Sequence, residues 1–190
     1  MTDELCRTIA YEAVARGARA NVHELWAALE RIDALSPRLI VDVGSGPAGW
    51  FAWWAMGARV IGVEWTPGAQ SPAFSGEQLP EAVVGLAGDP RDVSMVLRVR
   101  DQIGKRPVDV LVLSALRTED TMRAAFGAYG SMVRDGGIVL VHGIASRWTP
   151  GVGNFWRGLA PAGRKELVGS SDPIGYGVVE IHGKDRVSHA

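Results

Sequence analysis

One stretch constrains this chain more than any other: Leu39-Ile-Val-Asp-Val-Gly-Ser-Gly-Pro-Ala-Gly-Trp50. A short apolar run, of the kind that forms a strand buried on both faces, leads directly into Gly44, Gly46 and Gly49 in G-x-G-x-x-G spacing. A helical pattern follows. Glycines in such a turn let the chain reverse tightly and let a ligand approach the backbone, while the helix start offers free N–H groups. Ser45 lies inside the turn. Glu64 closes the next apolar run, 20 residues after Gly44, where a carboxylate accepts both hydroxyls of a ribose. The spacing alone is weak. Strand before, helix after and acid at that distance together predict a nucleoside-type cofactor site.

The rest of the chain supports the same architecture. Apolar runs at Leu39–Val43, Arg59–Val63, Ala82–Leu86, Val108–Leu113 and Ile138–Val141 alternate with helical stretches. Asp89-Pro90 predicts the N-cap and first residue of a helix with Val93, Val96 and Leu97 on its face. Thr118 predicts the start of another, with Met122, Ala125, Phe126, Tyr129 and Val133 inward and Asp135-Gly136-Gly137 closing it. Arg164–Val168 and Tyr176–Ile181 predict an antiparallel pair. The expected fold is a doubly wound, Rossmann-like α/β domain, a mostly parallel seven-stranded sheet with an antiparallel C-terminal strand pair. It spans 36–190, behind N-terminal helices in 1–35. The second of those helices begins at Asn21, with Glu24 placed to complete a capping box. Thr66–Pro80, rich in proline and glycine, predicts an irregular loop.

Composition narrows the partners. At 190 residues, 47% hydrophobic, the chain has enough apolar material for one domain with its own core. A net charge of -1 argues against binding nucleic acid or an anionic membrane through bulk charge. The single cysteine, Cys6, excludes a disulfide framework and fits a reducing interior. The opening Met-Thr-Asp-Glu-Leu lacks the basic and apolar regions of a signal peptide, and no apolar run approaches a membrane span. The expectation is a cytoplasmic domain, with a homodimer through the early helices and exposed tryptophans as its candidate assembly. Trp50, Trp53 and Trp54 crowd one helix, a pattern of packing or of a partner surface.

The nature of the cofactor turns on Asp42. A carboxylate two residues before the first glycine suits a ligand with a positive amino group and repels a pyrophosphate. This favours S-adenosylmethionine over NAD, and leaves open the alternative that Asp42 only caps loop amides. Asp89 is placed to accept an adenine amino group or to cap its helix, and Trp65 to stack on the base or pack at the rim.

These residues resemble class I S-adenosylmethionine-dependent methyltransferases, and more narrowly the macrocin-type O-methyltransferases and cephalosporin-hydroxylase-like proteins. The resemblance runs from about Asn21 onward. It takes in Leu39-Ile-Val-Asp-Val-Gly, Gly88-Asp89, Val108-Asp-Val-Leu-Val-Leu, Phe126-Gly-Ala-Tyr129, Val133-Arg-Asp-Gly-Gly-Ile-Val-Leu-Val-His142, Gly151-Val-Gly-Asn-Phe-Trp156 and Gly175-Tyr-Gly-Val-Val-Glu180.

In that group, acids after the fourth and fifth strands hold a divalent metal that orients a substrate diol. Here the matching stretches are Ser114-Ala115-Leu116-Arg117 and His142-Gly143-Ile144, which lack the hard oxygen ligands magnesium needs. The resemblance implies methyl transfer to an oxygen or nitrogen of a small molecule, and the missing acids imply that it proceeds without a metal. Asp42, Gly44, Ser45, Gly46, Gly49, Glu64, Trp65, Asp89 and Ser114 would hold the cofactor. His142, at a strand end and with an ordinary pKa suited to neutral pH, is the expected general base. Arg117, Arg147 and Trp148 would shape the acceptor pocket. The same missing acids motivate a different class of function, an inert cofactor-binding or interaction domain. An NAD-dependent oxidoreductase would leave Asp42 without a purpose.

Overall fold

The computed structural model describes residues 1–65, 79–159 and 163–183. Most of the predicted 66–80 loop lies outside them. Two helices come first. Helix α1 (Asp3–Ala15) is capped by Thr2, and α2 (Val22–Asp33) by Asn21, whose side chain accepts the amides of His23 and Glu24. Then follow β1 (Leu39–Val43), α3 (Gly46–Ala55), β2 (Arg59–Glu64), β3 (Val83–Ala87), α4 (Val93–Ile103), β4 (Val108–Leu113), α5 (Glu119–Gly130), β5 (Val133–His142), α6 (Pro150–Gly158), β6 (Arg164–Leu167) and β7 (Tyr176–Glu180). No described helix is long and apolar enough to cross a membrane.

The seven strands form one sheet in the order β3-β2-β1-β4-β5-β7-β6. Strands β1 to β5 run parallel. Strand β7 runs antiparallel to β5, and β6 antiparallel to β7, as the tail of the sequence predicts. The order reverses between β1 and β4, the switch point where ligands of doubly wound sheets bind.

Alternation along the strands divides the core between two faces. Val41, Val43, Leu111, Leu113, Val139 and Val141 pack against α4, α5 and α6. Ile40, Val110, Val112, Ile138 and Leu140 pack against α1, α2 and α3. The tryptophans of α3 divide similarly. Trp50 and Trp53 are buried, and Trp54 is part-exposed. The Trp50 indole lies across Gly62 of β2 and Gly85 of β3, which pair with each other. A Cβ on Gly62 would meet that ring at 2.0 Å.

Three local expectations are corrected. Helix α4 begins three residues after Pro90, with Asp92 at its N-cap, and buries Met95, Val99 and Ile103 while Val93 and Leu97 face solvent. Glu24 does not close a capping box, because its carboxylate turns towards a distant loop. Helix α5 does start at the Thr118 cap but ends at Gly130, so Val133 belongs to β5. Asp135-Gly136-Gly137 then forms a bulge inside that strand, between the pairs Val108↔Val133 and Val110↔Ile138. Asp109 explains the bulge. It is buried in β4 and takes the Arg134 guanidinium at 2.6 Å and the amides of Arg38 and Leu39 at 2.7 and 3.0 Å. Burial opposes its ionisation, but Arg134 and the two amides hold its pKa below the ordinary range.

Candidate active site

The predicted residues gather along the carboxyl edge of the parallel strands. At its centre, Gly44 adopts φ +99°, and its amide donates to Val63 O at 2.9 Å. A Cβ there would stand 2.1 Å from the carbonyl oxygen of Ser114, so only glycine lets β1 end wedged between β2 and β4. Gly46 and Gly49 lie in the first turn of α3. Asp42, on the face covered by α3, is fully buried. One oxygen accepts the Ser45 amide at 3.0 Å and the other the Trp53 indole N–H at 2.5 Å. Of the two roles open to Asp42, capping the loop is thus the one its hydrogen bonds display. Burial outweighs those bonds and pushes its pKa up to about 6.

Outward from the centre, Glu64 ends β2, and partial burial raises its pKa above the usual range. Trp65 follows, and the Arg91 guanidinium sits 4.9 Å from the centre of its ring. Asp89 grips that guanidinium with both oxygens, at 2.9 and 2.5 Å, and accepts the Arg91 amide at 2.8 Å. Arg91 therefore holds the Asp89 pKa low. Asp89 caps no helix here. Its side chain braces a guanidinium against the aromatic face it was expected to share with a base.

The other half of the edge is built differently. Ser114 directly follows β4, and its Oγ lies 3.1 Å from His142 Nδ1. His142 Nε2 is shut off from solvent with no hydrogen-bond partner. The imidazole stacks on Tyr176, its cross-strand partner, with ring centres 4.6 Å apart. The expectation of an ordinary histidine pKa is corrected: burial pushes it down to about 4, and the ring is neutral at pH 7.

Tyr176 itself escaped the sequence reading. The signal that places it, its register opposite His142, exists only once β5 and β7 are paired. Burial and the charges of Asp42 and Glu24 raise its pKa well above the ordinary tyrosine range.

At the positions where the resembled group carries acids, Leu116 is 1% exposed and Gly143 has no side chain. Among the described residues no three His, Cys, Asp or Glu side chains are grouped to hold a metal ion. On the rim, Arg147 lies 4.8 Å over the Trp148 ring, and Trp148 is 77% exposed. Arg117 is also exposed, on the separate loop after β4.

No family model matches the chain, and no curated protein matches it. Solved structures do. The O-methyltransferase TomG from Streptomyces achromogenes, involved in tomaymycin synthesis and solved with SAM, is 17% identical with TM-score 0.64, over 96% of this chain and 92% of TomG. The O-methyltransferase from Bacillus cereus, solved with SAH, is 15% identical with TM-score 0.60, over 95% and 92%. MycE, a methyltransferase of the mycinamycin biosynthetic pathway solved with Mg, SAH and mycinamycin VI, is 14% identical with TM-score 0.56 over 87% of this chain. The chain spans about half the length of MycE, 52%. At these identities what is shared is the fold, and the chain has the α/β fold of these S-adenosylmethionine-dependent methyltransferases.

Proposed function

We propose that the protein is an S-adenosylmethionine-dependent methyltransferase that methylates an oxygen or nitrogen of a small molecule without a metal. The observation that carries this reading is the Gly44–Gly46 turn at the end of β1 with Glu64 at the end of β2, in a fold whose solved relatives include complexes with SAM or SAH. The residues fit that cofactor. Gly44 and Gly46 leave the turn without side chains, Glu64 suits the ribose, and the unpartnered Nε2 of His142 offers one polar atom at the same edge. Trp65 and Asp89 would bound the adenine end, and Ser45, Gly49, Asp42 and Ser114 would shape the methionine end.

Bound there, the cofactor supplies an electrophilic methyl group. The chain's own part is mostly alignment of donor and acceptor. His142 in its neutral form could accept a hydrogen bond from an acceptor O–H or N–H through Nε2 where the acceptor displaces what encloses that atom, with Nδ1–H donated to Ser114. Its lowered pKa makes it a weak base, so it would suit an acceptor whose proton is already labile. Arg147 and Trp148 offer an aromatic and cationic rim, and Arg117 a second cation for an anionic acceptor. Leu116 and Gly143 in place of acids support the metal-free route. A cytoplasmic location and action without nucleic acid or membrane accompany this reading. A homodimer through the early helices and exposed tryptophans is its proposed assembly.

Calorimetric titration with S-adenosylhomocysteine, NAD and magnesium, beside Asp42→Ala, tests it. The expected result is binding of S-adenosylhomocysteine that is indifferent to magnesium and weakened in the variant. Binding of NAD alone would reassign the cofactor. Absence of any binding would leave an interaction domain built on a methyltransferase fold.

A further inference from the structure

Glu24 stands three residues after the α2 cap, yet its carboxylate leaves the helix and is 2% exposed. One oxygen accepts the Gly169 amide at 2.7 Å. The other accepts the amides of Ile174 and Gly175 at 3.2 and 2.7 Å. Asn21 adds a bond from its side-chain amide to Ser171 O at 3.2 Å. The first turn of α2 thus holds the segment joining β6 to β7 at four points. Enclosing a carboxylate is costly unless donors replace its water, and here three backbone amides do so.

The same segment has a second set of bonds on its other side. Gly175 O accepts the Gly143 amide at 2.8 Å, and Ile174 O accepts the Ala145 amide at 2.9 Å. Gly143 directly follows His142, and Tyr176, on which the imidazole stacks, directly follows Gly175. Two peptide units therefore connect the Glu24 carboxylate to both sides of the histidine. The Arg147–Trp148 rim continues from the same stretch.

We propose that Glu24 is a positioning residue for the acceptor half of the site, fixing 169–175 and through it the 143–145 stretch and the His142–Tyr176 stack. The inference rests on the methyl-transfer reading only for what the imidazole is positioned towards. It gives α2, which contributes no residue to the edge itself, a part in the site. Among the described residues, Gly44 and Glu64 of the cofactor half have no hydrogen bond to this segment.

The test compares the full chain with Glu24→Gln and Glu24→Ala, labelled with 15N-histidine and assigned with His142→Asn. Glutamine keeps one acceptor and loses the other, so it releases one of the two attachments. The expected result is a shifted Nδ1 resonance of His142, the reporter of its bond to Ser114, and amide exchange at Gly143 and Ala145 faster by about tenfold. Alanine should exceed glutamine in both. S-adenosylhomocysteine affinity should fall by no more than about threefold, because Gly44, Asp42 and Glu64 are untouched and, of the residues proposed to hold the cofactor, Ser114 is the one that borders the stack. An unmoved His142 resonance in the folded glutamine variant, with faster exchange confined to 169–175, would overturn the proposal and leave Glu24 a loop anchor. Should alanine unfold the chain, the glutamine variant carries the test. Should the unaltered chain not bind S-adenosylhomocysteine, the methyl-transfer reading falls while the resonance still decides the role of Glu24.

Discussion

The two halves of the sheet's carboxyl edge are specified in opposite ways. Around β1 and β2, backbone does the work: Gly44 fits because a side chain would strike Ser114 O, and Asp42 ties its own loop through Ser45, three residues on. Around β4, β5 and β7, side chains from distant segments do it. Ser114, His142 and Tyr176 meet across three strands, and Glu24 holds the segment that leads into Tyr176 from about 150 residues away. A locally encoded half resists change at single backbone positions. The other half resists change in a network.

The sharpest way to break the first half is Gly44→Ala. With φ at +99° and a 2.1 Å approach to a carbonyl, it should cost at least about 3 kcal/mol in urea unfolding and abolish S-adenosylhomocysteine binding. A stable, binding-competent variant would refute the wedge between β2 and β4.

The next effect separates the halves by pH. Asp42 has a folded pKa of about 6, above its ordinary 3.8. Its contribution is complete at low pH and is lost as pH rises towards 6. His142 has a folded pKa of about 4, below its ordinary 6.5. Its contribution is complete above 6.5 and is lost as pH falls towards 4. The two oppose each other, each by up to about 3 kcal/mol, so the unaltered chain should change little through them between pH 4 and 6. Asp42→Asn should expose a stability that climbs with pH over that window, and His142→Asn one that declines. Urea midpoints at three pH values check this, and parallel curves for both variants would contradict the burial of the pair.

What was legible in the sequence follows the same division. The strands from Leu39 to Val141, the Thr118 cap and the glycine turn were all readable, because periodicity and turn chemistry are local. The start of α4 was misplaced because Asp89 had a nearer partner in Arg91 than in any helix amide. The Asp135–Gly137 bulge looked like a helix stop because the ion pair that shapes it joins Arg134 to Asp109 of another strand. Glu24 looked like half of a capping box for the same reason, its donors lying in 169–175. Tyr176 and the depressed pKa of His142 depend on burial between elements, which no spacing reports.

Smaller effects probe the joints. Tyr129 donates its buried hydroxyl to Pro90 O at 2.8 Å, tying α5 to the turn that carries Asp89 and Arg91. Tyr129→Phe should cost about 1 kcal/mol in thermal or urea unfolding. No loss would mean that the two halves are not coupled there. Smallest of all, Arg91→Ala should leave the melting temperature unchanged, as an exposed ion pair does, and tighten S-adenosylhomocysteine binding by less than about threefold by freeing Asp89 and the Trp65 face. Weaker binding would instead make the guanidinium a wall of the cofactor site.

Trp50 over Gly62 and Gly85 has a consequence for how this chain can change through descent. Gly62 cannot acquire even a methyl group while the indole covers it, since its Cβ position lies 2.0 Å from the ring, whereas at Gly85, 3.1 Å away, a methyl group requires the ring to give by a few tenths of an ångström. A shrunken residue 50 leaves a void over two bare strands until a glycine grows to fill it. The order of substitution is therefore fixed: position 50 must yield first, through a less stable intermediate. Among lineages that share this ancestry, positions 50 and 62 should covary, with tryptophan at 50 found only above glycine at 62, and position 85 should follow more loosely.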